Sequence, residues 1–132
     1  MKRTLLVVLL LAGTIATAST VAESQAKSKQ SVNAAVYAVG CISEEDGEWM
    51  LIRATDVVVT EISPLTPDEE EAADALETPG DHRYHLIGVE AFDLPDHKGH
   101  QVQVKGLLIE ATPASRINVT SLRHMVAECP AP

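Results

Sequence analysis

Apolar and polar positions alternate strictly through residues 99–106. His100, Val102 and Val104 fall on one face, and Gln101, Gln103 and Lys105 fall on the other. A two-residue period marks a strand with one covered face, and the flanking Gly99 and Gly106 fit a turn or a bulge. Residues 35–43 repeat the pattern, with Tyr37, Val39 and Cys41 opposed to Val36 and Ile42, and Gly40 predicts a bend. Residues 48–55 are densely apolar through Trp49, Met50, Leu51 and Ile52, which predicts cover on both faces over part of that strand. Asp46-Gly47 between these two runs is a hairpin signal, because both turn positions need positive φ. Val57, Val58 and Val59 extend the second strand or form a short one of their own. Residues 84–90 set Tyr84 and Leu86 against His85, Ile87 and Val89, and residues 117–127 slip phase near Thr120-Ser121, where a bulge is expected.

Residues 63–81 break the two-residue period. Thr66-Pro67-Asp68-Glu69 is a helix start, with Thr66 as N-cap, Pro67 in the first turn and Glu69 closing a capping box. The apolar face beyond it is thin, so a short exposed helix and a disordered acidic insertion remain alternatives. Residues 91–98 allow one helical turn around Phe92 and Leu94. Five strands in this order, with a short element between the third and fourth, predict an all-β fold: a small five-stranded oligonucleotide/oligosaccharide-binding (OB)-like barrel over residues 34–129. The acidic insertion, 63–81, then falls between strands 2 and 3.

The start of the chain changes the picture of where this fold works. Lys2 and Arg3, an apolar run over residues 4–12 and the small residues Ala16-Thr17-Ala18 match a cleaved signal peptide, residues 1–18. The apolar run falls well short of the roughly 20 residues that span a bilayer. Residues 19–33 are polar and read as a flexible linker. The expected destination is the periplasm or the exterior of a bacterium, with no membrane association after cleavage. Ala38-Val39-Gly40-Cys41 has a faint likeness to a lipid-attachment site, but it lies too far behind the apolar run. Cys41 and Cys129 are instead expected to form a disulfide in an oxidising compartment.

The chain carries 19 acidic against 10 basic residues, a net charge of −9 at neutral pH. That balance repels phosphate backbones and anionic lipid, so nucleic acid is excluded as a partner. The aromatic inventory agrees. Trp49, Tyr37, Tyr84 and Phe92 are too few to fill a core and also stack bases or sugars. Trp49 is expected in the core.

Candidate chemistry centres on the five histidines. His82 and His85, and likewise His97 and His100, lie three apart, and imidazole suits zinc or copper. On a strand such positions face opposite ways, so each pair converges only if its first member sits in the preceding loop. His100 has a plainer reading, at the rim of the sheet with a ring nitrogen hydrogen-bonded to a backbone carbonyl. A thiol nucleophile needs Cys41 or Cys129 free beside a histidine, against the expected bridge. Glu90, Asp93, Asp96 and Glu110 offer carboxylates for acid–base work, but among so many acids proximity is uninformative. The chain is therefore read as non-enzymatic and without a cofactor. Its partner is a small molecule or protein of the envelope, and metal binding through His82, His85, His97 and His100 is the alternative.

Several short blocks occur together: Gly40-Cys41-Ile42, Trp49 through Thr55, Tyr84-His85-Leu86-Ile87-Gly88, Gly99-His100 with Val102, Val104 and Gly106, and Asn118-Val119-Thr120-Ser121-Leu122 before Cys129. In this order they resemble a family of exported bacterial proteins built on an OB-like barrel and without assigned function. The resemblance covers residues 36–129 apart from the acidic insertion. It implies a fold and an export route, and no functional residue.

Overall fold

The computed structural model describes residues 33–76 and 80–131. Its elements are β1 (Ala35–Glu45), β2 (Glu48–Ala54), β3 (Val58–Val59), α1 (Pro67–Asp74), β4 (His82–Ile87), α2 (Leu94–His97), β5 (Gln101–Ile109) and β6 (Arg116–Val126). The expected leader, all of the linker except Asn33, and residues 77–79 of the acidic segment lie outside the described residues. The fold is predominantly β. β1 pairs antiparallel with β2, β5 and the short β3, β2 pairs antiparallel with β4, and β5 pairs antiparallel with β6. β4 and β6 run parallel. The pairings thus pass from β1 through β2, β4, β6 and β5 and return to β1.

Local chemistry accounts for much of this path. Asp46 and Gly47 take φ of 52° and 78°, the left-handed pair that a tight hairpin requires. β1 is long enough to pair with β5 through its first half and with β2 through its second. The anticipated bulge in β6 is present: Lys105 faces Ser121 while Gly106 faces Val119, leaving Thr120 as the extra residue. Gly106 has no room for a side chain there, since a Cβ would overlap the Asn118 carbonyl. At Gly40 the β1–β5 register runs regularly, so there is no bulge in that pairing. A Cβ at Gly40 would lie 2.8 Å from Leu51 Cγ, so close packing favours glycine there.

The inner faces close on Ala38, Ile42, Leu51, Ala54, Tyr84, Leu86, Val102, Val104, Ile117 and Val119, with Leu94 of α2 completing the core. Trp49 packs against this core while staying partly exposed.

The largest difference from the pattern reading is on the opposite face. Gln103 and Lys105 were expected on a solvated face, yet they are 0% and 1% exposed. The cause is α1, which is ordered and lies over that face: its Ala73 is fully buried with Tyr37, Val39 and Met125. The capping box forms as expected, with the Glu69 N–H donating to Thr66 Oγ1 at 3.3 Å and the Thr66 N–H to Glu69 Oε2 at 2.9 Å. Lys105 Nζ donates to Glu69 Oε1 and Oε2 at 2.8 and 2.9 Å, to Ser63 Oγ at 3.0 Å and to the Pro64 carbonyl at 3.2 Å. Gln103 Nε2 donates to the Glu69 carbonyl at 3.0 Å and Gln103 Oε1 accepts from Arg123 Nε. Arg123 continues to the Glu70 carbonyl and to Asp74 Oδ1. A helix with little apolar surface is therefore held by a buried polar network whose members are mutually satisfied.

Burial by itself raises the Glu69 carboxyl's pKa. Hydrogen bonds from Lys105, Thr60 and the Thr66 backbone, together with the Lys105 charge, overcome that and hold it at about 2, below its ordinary 4.5. Since the folded value is the lower one, the contribution is complete above pH 4.5 and disappears as pH falls towards 2. Urea titrations across that window are expected to show a loss of about 2 kcal/mol that Glu69→Gln abolishes, after allowance for water at the edge of the site.

Cys41 of β1 and Cys129, just past β6, form a disulfide-capable pair with Cα atoms 5.9 Å apart. The Cys129 N–H donates to the Gly99 carbonyl at 3.0 Å, which ties the tail to the α2–β5 turn.

Candidate binding groove and histidine cluster

Where the β1–β2 turn meets the β5–β6 loop, the chain leaves a groove of about 660 Å³. One rim is the turn (Glu45, Asp46, Glu48), the other is the loop (Thr112, Pro113, Ala114) with Arg116, and between them lie Met50 of β2 and His82, Arg83 and His85 of β4. The size suits a small ligand or a few residues of a partner chain. Asp46 and Gly47 form the turn with positive φ, and the Thr112–Pro113 peptide is cis.

The groove is lined by charge. Four carboxylates (Glu45, Asp46, Glu48, Asp81) stand against two guanidinium groups, Arg83 and Arg116. Arg83 is paired with Glu45, His85 Nε2 lies 3.9 Å from Glu48 Oε1, and His82 Nε2 lies 2.5 Å from Asp56 Oδ1 and 3.7 Å from Asp81 Oδ1. With the histidines neutral, the lining is net negative. None of Trp, Tyr or Phe lines it. Tyr84 lies beneath, stacked with His82 at 6.1 Å between ring centroids, with its hydroxyl donating to the Thr55 carbonyl. Burial, helped by the nearby Asp56 charge, pushes the Tyr84 phenol above its ordinary value.

The four histidines singled out from spacing fall into two places. His82 and His85 both lie on β4, so the strand points them to opposite sides, His82 with Tyr84 and His85 with Arg83. His97 ends α2, before β5 begins, and the Lys98-Gly99 turn folds the chain back so that the His100 N–H donates to the His97 carbonyl at 2.9 Å. Their ring centroids are 6.0 Å apart. His124, which faces Val102 across the β5–β6 pairing, joins them at 5.8 Å from His97 and 5.0 Å from His100. Among the described residues no group of three or more His, Cys, Asp or Glu side chains could hold a metal ion. The expected ring-to-carbonyl bond of His100 is replaced by imidazole packing. The turn sets His100 beside His97, and its Nδ1 is buried without a partner.

Glu90, Asp93, Asp96 and Glu110 are all exposed. Sequence reading missed the groove rims, and it places His124 on the last strand without grouping it with His97 and His100. The rims were visible as two turn signals, Asp46-Gly47 and the Pro113 loop, but only the strand order sets them side by side. His124 required the bulge at Thr120 to be carried forward along β6, which puts it opposite Val102. Comparison of the chain with protein-family models, curated proteins and solved structures gives no match.

Proposed function

We propose that this chain is an exported, non-enzymatic binding module built as a five-stranded OB-like barrel, and that its ligand site is the groove between the β1–β2 turn and the β5–β6 loop. The observation that carries the reading is the position of that groove. In OB folds the surface of the second and third strands, with the loops joining strands 1–2 and 4–5, is where ligands sit. Here those parts are β2, β4, the turn at Asp46 and the loop at Pro113, and they enclose the groove. The strand order and the parallel β4–β6 pairing support the OB-like description. The basic start of the chain, its apolar run and the paired cysteines support export.

The net negative lining and the lack of Trp, Tyr and Phe in it favour a cationic partner, such as a basic segment of an envelope protein, over nucleic acid or glycan. A thermal-shift series with hexalysine, hexaglutamate and maltohexaose tests this. Hexalysine is expected to raise the unfolding midpoint in low salt, the effect fading above about 0.15 M salt, and the other two to leave it unchanged. Asp46→Asn with Glu48→Gln should remove the rise. A rise that survives this double substitution, or none with hexalysine, contradicts the reading.

A further inference from the structure

We propose that, when no partner is bound, the groove is filled by this chain's own basic segment, Lys27-Ser28-Lys29, which lies just ahead of the described residues. The inference rests on the reading of the groove as a site for cationic segments, and it names the first occupant. The strand pairings carry the geometry. Met50 of β2 pairs with His85 of β4, His85 with Arg116 of β6, and Arg116 with Ile109 of β5. Partners in register share a face, so these four side chains form one row across the sheet, and Met50, His85 and Arg116 line the groove. β1 continues the row. Ala35 pairs with Leu107 and the Leu108 N–H donates to the Ala34 carbonyl at 2.9 Å. Continuing that register sets Asn33, which is exposed, beside Ile109. The chain therefore enters the fold two strands from Arg116, along the row that floors the groove.

Length and charge both fit. Neighbouring strands lie about 4.8 Å apart, which puts Arg116 about 10 Å and Met50 about 19 Å from Asn33. An extended chain covers about 3.3 Å per residue, so Lys29 reaches about 13 Å from Asn33 and Lys27 about 20 Å. Lys27 thus has the length to cross the row and meet the hairpin rim, where Asp46 and Glu48 are exposed. Among the described residues neither carboxylate is paired with a lysine or arginine, whereas Arg83 already holds Glu45. From Asn33 onward the chain carries 18 acidic and 6 basic residues, while residues 24–32 hold two lysines and no acid. A tether this short keeps its basic segment at an effective concentration of about a millimolar, so a modest intrinsic affinity gives occupancy. The consequence is selection: weakly basic ligands are kept out, and a partner of higher positive charge displaces the lysines.

Amide spectra of ¹⁵N-labelled, oxidised protein in low salt, with no ligand added, test the contact against the Lys27→Gln/Lys29→Gln protein. The substitutions should move the amides of Glu45–Glu48, His82–His85 and residues 112–116, to the same extent at about 0.05 and about 0.5 mM protein. Salt at about 0.5 M should erase the difference. In hexalysine titrations the substituted protein should bind about threefold tighter or more, because no tethered cation competes. Spectral differences confined to the residues next to Asn33, or a hexalysine gain below about threefold, overturn the inference and leave the groove reading standing. Differences that grow with protein concentration also overturn it, and assign the lysines to the groove of a second copy. Hexalysine binding by neither protein overturns the groove reading itself, and this inference with it.

Discussion

Lys105→Met is expected to lower the unfolding free energy by about 3–5 kcal/mol, the range seen when one member of a buried ion pair is removed. Lys105 is 1% exposed and its partner Glu69 is 11% exposed, so neither charge has ready access to water once the other is gone. The loss reaches further than the pair. Lys105 also holds Ser63 and Pro64, the approach to α1, while Glu69 caps the helix through Thr66. Glu69→Leu should cost a similar amount by stranding the ammonium, and the double substitution should recover much of it, because an apolar pair leaves no buried charge. Urea denaturation of the four proteins in the cycle gives the coupling directly. A coupling below about 1 kcal/mol, the level of a solvated surface pair, would show that water reaches this site.

Opening the Cys41–Cys129 link is the second large effect. A bridge with a sequence separation of 88 removes much of the unfolded chain's freedom, and chain-entropy arithmetic assigns it about 4–5 kcal/mol. Native geometry supports closure, since the Cα atoms are 5.9 Å apart and Cys41 is buried. Thermal unfolding with and without reductant should therefore differ by well over 10 °C for a domain of this size. Cys41→Ala with Cys129→Ser should melt at the reduced midpoint and ignore the reductant. Two reactive thiols in natively folded protein under oxidising conditions would contradict the link.

These two effects also show where the sequence was readable. Alternation located the β-strands because one inner face collects their apolar residues, and the phase slip at Thr120 was legible because a bulge displaces every later side chain by one position. The capping box predicted the helix start, since it rests on four adjacent residues. Alternation could not show that the second face of β5 is also covered. Gln103 and Lys105 look like solvent-facing residues, and only their partners on α1, more than thirty residues away in the chain, explain their burial. The same holds for the candidate surfaces. Spacing pairs His97 with His100, but the third ring beside them, His124, comes from β6 and carries no local signal. The groove rims are short turns with no chemical motif, brought together solely by the return of the sheet to β1.

The groove is tested most directly by amide shift mapping of ¹⁵N-labelled, oxidised protein titrated with hexalysine in low salt. The shifts should cluster on Glu45–Glu48 of the hairpin, His82–His85 of β4 and residues 112–116, and vanish in the Asp46→Asn/Glu48→Gln protein. Saturable shifts centred instead on α1 or on the His97–His100 turn, or no saturable shifts at all, would contradict the assignment of this groove as the binding site.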